Sequence, residues 1–385
     1  MGIKVEQVTK PVLLGEGPHW DADQQCLFYC SIFGHTIHKY VPTTGIETKA
    51  KLWGGGGVCL KPHHISLGGG VKNLLKKHHV INGRPLKRTL EELKGIMVSV
   101  NPNITGEDVR RKKIHSDFHL NCNVITFFNV LTAGNVGFVV PVKGTKDQFV
   151  VGIDRKVVTV RWDGTDNATA EVLNEIAEVD AASGFNTNRI NDGKADPKGR
   201  LYAGTMGKED PPGSFQQNKG SLFVFSKAGA EAKADQISIS NGLCWDVTRN
   251  VMYYIDSLEY AVRAYDYDFK TGAMTNKRLI FDYKKNNIVG LPDGMTIDTD
   301  GNLWVACFDG SQIIKVDPNK GALLQQVPIP ALQVTSVAFG GKDLDELYVT
   351  SASMNIKGEQ KPPCGATFKV TGLGVKGYAG DACVL

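Results

Sequence analysis

Four short stretches bring carboxylate and amide side chains into a shared setting. They are Gly15-Glu16-Gly17-Pro18, Asn188-Arg189-Ile190-Asn191-Asp192-Gly193, Ser240-Asn241-Gly242-Leu243 and Leu291-Pro292-Asp293-Gly294. Taken singly, an Asn-Gly or Asp-Gly pair is an ordinary turn signal. Here each stretch precedes the same longer phrase at the same register. If the repeated units are equivalent, Glu16, Asn191 or Asp192, Asn241 and Asp293 project toward one axis. Such a cluster offers only oxygen donors, which suit a hard divalent cation. Ca²⁺ fits first, and Mg²⁺ or Mn²⁺ are compatible. Zn²⁺ ordinarily takes His or Cys. There is no Gly-x-Ser-x-Gly nucleophile motif, and the glycine runs lack the Gly-Lys-Ser/Thr ending of a phosphate loop.

The phrase that follows each stretch is a short strand, a polar turn with Asp, and an apolar-aromatic strand. It begins at Gly17, Gly193, Gly242 and Gly294, with looser copies at Val139 and Val337. Alternating strands around an Asp/Gly turn form a hairpin. Asp196 to Asp246 spans 50 residues and Asp246 to Asp298 spans 52, close to the period of a four-stranded propeller blade. Six hairpins predict an all-β chain, a single six-bladed β-propeller over residues 1–385. Runs such as Arg263-Ala-Tyr-Asp-Tyr-Asp and Gln312-Ile-Ile-Lys-Val-Asp supply outer strands. The step from Asp21 to Lys143 is 122 residues, more than two periods. An insertion is therefore expected at about 54–132, between blades 1 and 2. It holds 12 Lys and Arg against 5 Asp and Glu, while the remainder holds 32 against 35. The net charge of +4 thus belongs to this segment and does not argue for nucleic acid.

The motifs Gly15-Glu-Gly-Pro-His-Trp, Asn188-Arg-Ile-Asn-Asp-Gly-Lys, Gly204-Thr-Met, Ser240-Asn-Gly-Leu, Tyr254-Ile-Asp-Ser, Pro292-Asp-Gly-Met and Thr371-Gly-Leu-Gly-Val-Lys-Gly occur in this order. Together they resemble the SMP-30/gluconolactonase/regucalcin family, and most of all its insect luciferin-regenerating-enzyme and anterior-fat-body-protein branch. The resemblance covers about 1–53 and 133–385. It implies a six-bladed propeller with one axial metal, held by Glu16, Asn241 and Asp293. Asp293 would also serve as the acid/base residue. Arg189 and Asn191 would contact substrate, and Glu209, after Gly-Thr-Met, would do so in a more variable loop. Cys244 stands where vertebrate relatives often have Asp, and the family lacks the insertion. The implied activity is metal-dependent hydrolysis of a small lactone, with water attacking a polarised carbonyl. Ca²⁺ binding without turnover, and a luciferin-regenerating type of hydrolysis, are the alternatives.

Other signals are read more simply. His115 and His119 with Cys122 lack a second ligand pair for zinc. Arg110-Arg-Lys-Lys113 reads as a solvated loop. Arg88–Lys94 could start a short helix, with Thr89 as its N-cap. The eight cysteines form no Cys-x-x-Cys pair and read as buried or free thiols. Trp20, Trp162, Trp245 and Trp304 are expected to pack between blades. Residues 1–10 lack an apolar leader core, Glu6 stands where a myristoylation motif needs Ser or Thr, and no run of about 18 apolar residues exists. A cytoplasmic monomer with no membrane or nucleic-acid partner is the expectation.

Overall fold

The computed structural model describes residues 2–52, 134–211 and 213–384, together with a ladder pairing Val80–Ile81 with Arg84–Pro85. The insertion expected at 54–132 lies in sequence between blades 1 and 2. Apart from that ladder, it lies outside the described residues, along with the helix at Arg88, the basic run at Arg110 and the His115–Cys122 cluster.

Six four-stranded antiparallel sheets follow one another along the chain, the first extended at its outer edge by Ala168–Thr169, which pairs in parallel with Ile46–Lys51. Their innermost strands are Gly15–Asp21, Val136–Pro141, Arg189–Ala195, Ser240–Asp246, Leu291–Ile297 and Gln333–Gly340. Each of these six strands touches the innermost strands before and after it, and the last touches the first. This closed ring makes the fold a six-bladed β-propeller. Five blades take all four main strands from consecutive sequence. In the sixth, the outermost strand is Lys4–Gln7, which pairs with Phe368–Thr371. The ring is therefore closed by hydrogen bonds between the two ends of the chain. Repeat spacing alone did not show this joint.

Closure buries apolar surface between blades rather than within one. Among the described residues, six apolar clusters form, one at each blade interface. Trp20, Trp162, Trp245 and Trp304 all lie buried in or against them, as expected. A blade exposes two broad faces, so none could bury its apolar side chains alone. Stacking in a ring satisfies all six.

The repeated Asp of the hairpin phrase has a local task. Asp21, Asp196, Asp246 and Asp298 each end or directly follow an innermost strand, and their Oδ1 atoms accept backbone N–H groups of the turn. These Asx turns reverse the chain into the second strand. The candidate site residues Glu16, Arg189, Asn191, Asn241 and Asp293 stand at the other end of the same strands, and Glu209 follows the second strand of blade 3, Leu201–Met206.

Candidate metal centre and substrate cleft

All six innermost strands slip register against their second strands near the start. The slips fall between Glu16 and His19, Val136 and Phe138, Ile190 and Asp192, Ser240 and Leu243, Pro292 and Met295, and Val334 and Ser336. A β-bulge leaves residues out of the ladder and re-aims their side chains. Glu16 stands at the edge of one bulge, and Asn191, Asn241 and Asp293 lie within three others. The Asn-Gly and Asp-Gly pairs are thus bulged strand, not turns. At Gly17 the backbone needs φ +57°, a left-handed value that favours glycine. At Gly242 the neighbouring strand comes so close that a Cβ would lie 2.7 Å from the Asp293 carbonyl oxygen.

The bulges bring the expected residues together. Glu16, Arg189, Asn191, Glu209, Asn241 and Asp293 all line one cavity of about 50 Å³ at the start of the innermost strands. Apolar neighbours there include Ile32, Met206 and Phe308. Glu16, Asn241 and Asp293 are each no more than 5% exposed. Glu16 Oε2 accepts the Gly17 N–H at 3.1 Å, and Asp293 Oδ1 has no partner. Burial first, then the charge of Asp192, pushes the Glu16 carboxyl well above the usual range. Burial, followed by the charges of Glu16 and Asp192, does the same to Asp293. Buried carboxylates crowded by like charge, one of them with an oxygen that meets no donor, are the environment a cation relieves. Among the described residues, no group of three His, Cys, Asp or Glu side chains could hold a metal. A cation held between the carboxylates of Glu16 and Asp293 would need a further oxygen donor, and the amide oxygen of Asn241 lines the same cavity.

Arg189 and Asn191 are less free than the sequence pattern implied. Asn191 Nδ2 donates to the Ser240 carbonyl and to Asn241 Oδ1, both at 3.0 Å. Its Oδ1 accepts from Arg189 Nη1 at 2.6 Å. Asn191 therefore steadies the centre as well as facing the cavity. Arg189 Nη2 reaches Glu209 at 3.5 Å, and the guanidinium lies 5.7 Å over the Phe33 ring. Arg189, Glu209 and Met354 also line a wider cleft of about 880 Å³, with Asp154, Arg155 and Lys208. Asp192, the open alternative to Asn191, is also buried; it lines the channel farther in with His19 and Lys194. Burial pushes its carboxyl up to about 6. Cys244 packs between blades 4 and 5, where burial pushes its thiol up to about 12. Two residues went unassigned in the sequence: Phe33, and Ser257 at the end of the quoted Tyr254-Ile-Asp-Ser motif. Neither belongs to the repeated register that marked the others.

The family described as SMP-30/Gluconolactonase/LRE-like region matches residues 14–353. The chain belongs to this family. Among SMP-30/gluconolactonase relatives, regucalcin of Sus scrofa is 44% identical over 241 residues, 60% of this chain and 77% of that protein. Regucalcin of Danio rerio is 39% identical over 279 residues, covering 71% and 86%. The structure is similar to that of a luciferin-regenerating enzyme, with 32% identity, a TM-score of 0.73 and full coverage of both chains. It also shares the fold of a calcium-binding protein, regucalcin, from Agrobacterium tumefaciens, at 19% identity and a TM-score of 0.68, covering 100% of this chain and 98% of that one. Among the described residues, no helix is long and apolar enough to cross a membrane.

Proposed function

We propose that this chain binds one divalent cation, Ca²⁺ in the first place, through Glu16, Asn241 and Asp293, and hydrolyses a small lactone beside it. The observation that carries the reading is the buried, unpartnered Oδ1 of Asp293 in a cavity it shares with Glu16 and Asn241. When bound, the cation supplies Lewis acidity toward the lactone carbonyl and positive charge for the developing oxyanion. Asp293 helps hold the cation and accepts the proton of the attacking water. The water oxygen bonds to the carbonyl carbon, the acyl–oxygen bond of the ring breaks, and the ring oxygen leaves as a hydroxyl by taking that proton. Arg189 donates to the substrate's ring oxygen or hydroxyls, and Asn191 holds Arg189 in place. Glu209 accepts from a substrate hydroxyl at the junction with the wider cleft.

Hydrolysis of gluconolactone and other aldonolactones, measured with Ca²⁺, Zn²⁺, Mn²⁺ or EDTA, tests the proposal. Metal-dependent turnover that EDTA removes is expected. A rate no higher than the spontaneous one with every metal overturns the enzymatic reading. Calorimetric Ca²⁺ binding in that same case would support the second reading, cation binding without turnover. The unpartnered Asp293 Oδ1 supports that reading as well, since it calls for a cation and not for an attacking water.

A further inference from the structure

We infer that Ser257 is a positioning residue, which turns the Asn241 side chain so that its amide oxygen, and not its NH₂, faces the cation. The inference rests on the proposed ligand set.

Ser257 begins a short 3-10 turn, Ser257–Glu259, directly after the second strand of blade 4, and is buried. Its Oγ lies 2.7 Å from the Pro292 carbonyl oxygen and 2.8 Å from Asn241 Nδ2. A carbonyl can only accept, so the single hydroxyl proton goes to Pro292. The Ser257 oxygen is then left as an acceptor, and Asn241 must present its NH₂ to it. On the other side, Asn191 donates to Asn241 Oδ1 at 3.0 Å. Two independent neighbours thus demand the same orientation.

The orientation matters because the two ends of an amide have nearly the same shape and opposite polarity. With the amide reversed, a donor would stand among the ligands of a cation. The same hydroxyl also bonds the carbonyl directly before Asp293, so it ties a ligand of blade 4 to the strand carrying a ligand of blade 5. Partners of this kind, which touch the ligand and not the metal, typically change metal affinity by about 10–100-fold.

Calorimetric Ca²⁺ titration of the full chain, with thermal unfolding in parallel, tests this. Ser257→Ala is expected to weaken Ca²⁺ binding by about 10–100-fold. Ser257→Thr, which keeps the hydroxyl, is expected to retain wild-type affinity. In an Asn241→Asp background both terminal atoms are oxygens, so either orientation serves. There, adding Ser257→Ala is expected to change affinity by less than about threefold, a non-additivity only an orienting role produces. If Ser257→Ala does not fold, Ser257→Cys, close in volume but a weak donor, should show the same loss. Wild-type affinity in whichever of the alanine and cysteine variants folds, or an equal loss in the Asn241→Asp background, overturns the inference alone. Absence of cation binding by the wild type overturns the ligand set, and the inference with it.

Discussion

Replacing Asp293 with Asn should change stability in opposite directions with and without metal. The side chain is 5% exposed, its Oδ1 has no partner, and the charges of Glu16 and Asp192 act on it. A buried acceptor left unsatisfied costs about 1–3 kcal/mol, and more when charged. The near-isosteric Asn removes the charge and leaves the strand intact. In EDTA at neutral pH, Asp293→Asn should therefore be more stable than wild type by about 1–3 kcal/mol. The pH dependence has a definite sign. The folded-state pKa is raised from 3.8, so the folded protein holds its proton more tightly than the unfolded one. The wild-type penalty is absent below 3.8 and grows as pH rises, and the advantage of Asn grows with it. With Ca²⁺ at about 1,000 times the wild-type Kd, wild type should gain about 4.1 kcal/mol. The variant should gain little, and the ranking should invert. Urea unfolding of both proteins, in EDTA and in Ca²⁺, reads all four values. A variant less stable than wild type in EDTA, or one with an undiminished Ca²⁺ gain, would refute the argument.

His19, buried in the lower channel, is pushed down from 6.5 to about 4 by burial. The unfolded chain takes up this proton first, so stability should fall by about 3 kcal/mol as pH drops from 6.5 to 4. His19→Gln should flatten that part of the profile, measured as the wild-type minus variant difference in urea. Gly242→Ala would place a Cβ 2.7 Å from both the Asp293 carbonyl oxygen and the Met295 Cβ. It should cost about 1–3 kcal/mol and weaken Ca²⁺ binding, with unchanged calorimetry counting against the close approach. Deleting residues 2–9 removes the Lys4–Gln7 strand and the Val8 and Thr9 bonds to Thr367. Thermal unfolding should drop by at least about 5 °C, and an unchanged midpoint would show that the ring closes without this strand.

The candidate site was largely legible because each candidate ligand travels with its own landmark. Glu16, Asn241 and Asp293 sit at a constant distance before an Asp turn, and that distance is local chain geometry. Counting blades needed only the period, and the oversized first step placed the insertion by subtraction. What the Asn-Gly and Asp-Gly pairs do in the backbone was not legible, because their glycines answer to a long-range contact. Gly242 is needed because the next blade's Asp293 backbone passes close to it, and no window of one strand contains both.

By itself, then, the sequence determined the six blades, their all-β character and the oxygen-rich set of side chains that shares one register. All three follow from a repeat in which each unit carries its own hairpin and its own polar residue. Tertiary structure decided three other things. It closed the ring by pairing Lys4–Gln7 with Phe368–Thr371, residues more than 360 positions apart. It placed a bulge in every innermost strand, and a one-residue slip decides which way a strand side chain points. It also joined Arg189, Asn191, Asn241, Ser257 and Pro292 by hydrogen bonds across three blades. The end-to-end pairing and the hydrogen bonds between blades are relations between distant segments, which only packing the blades around a common axis brings within reach; the slip is set within each hairpin by how its two strands pair, which the alternation of one strand does not record.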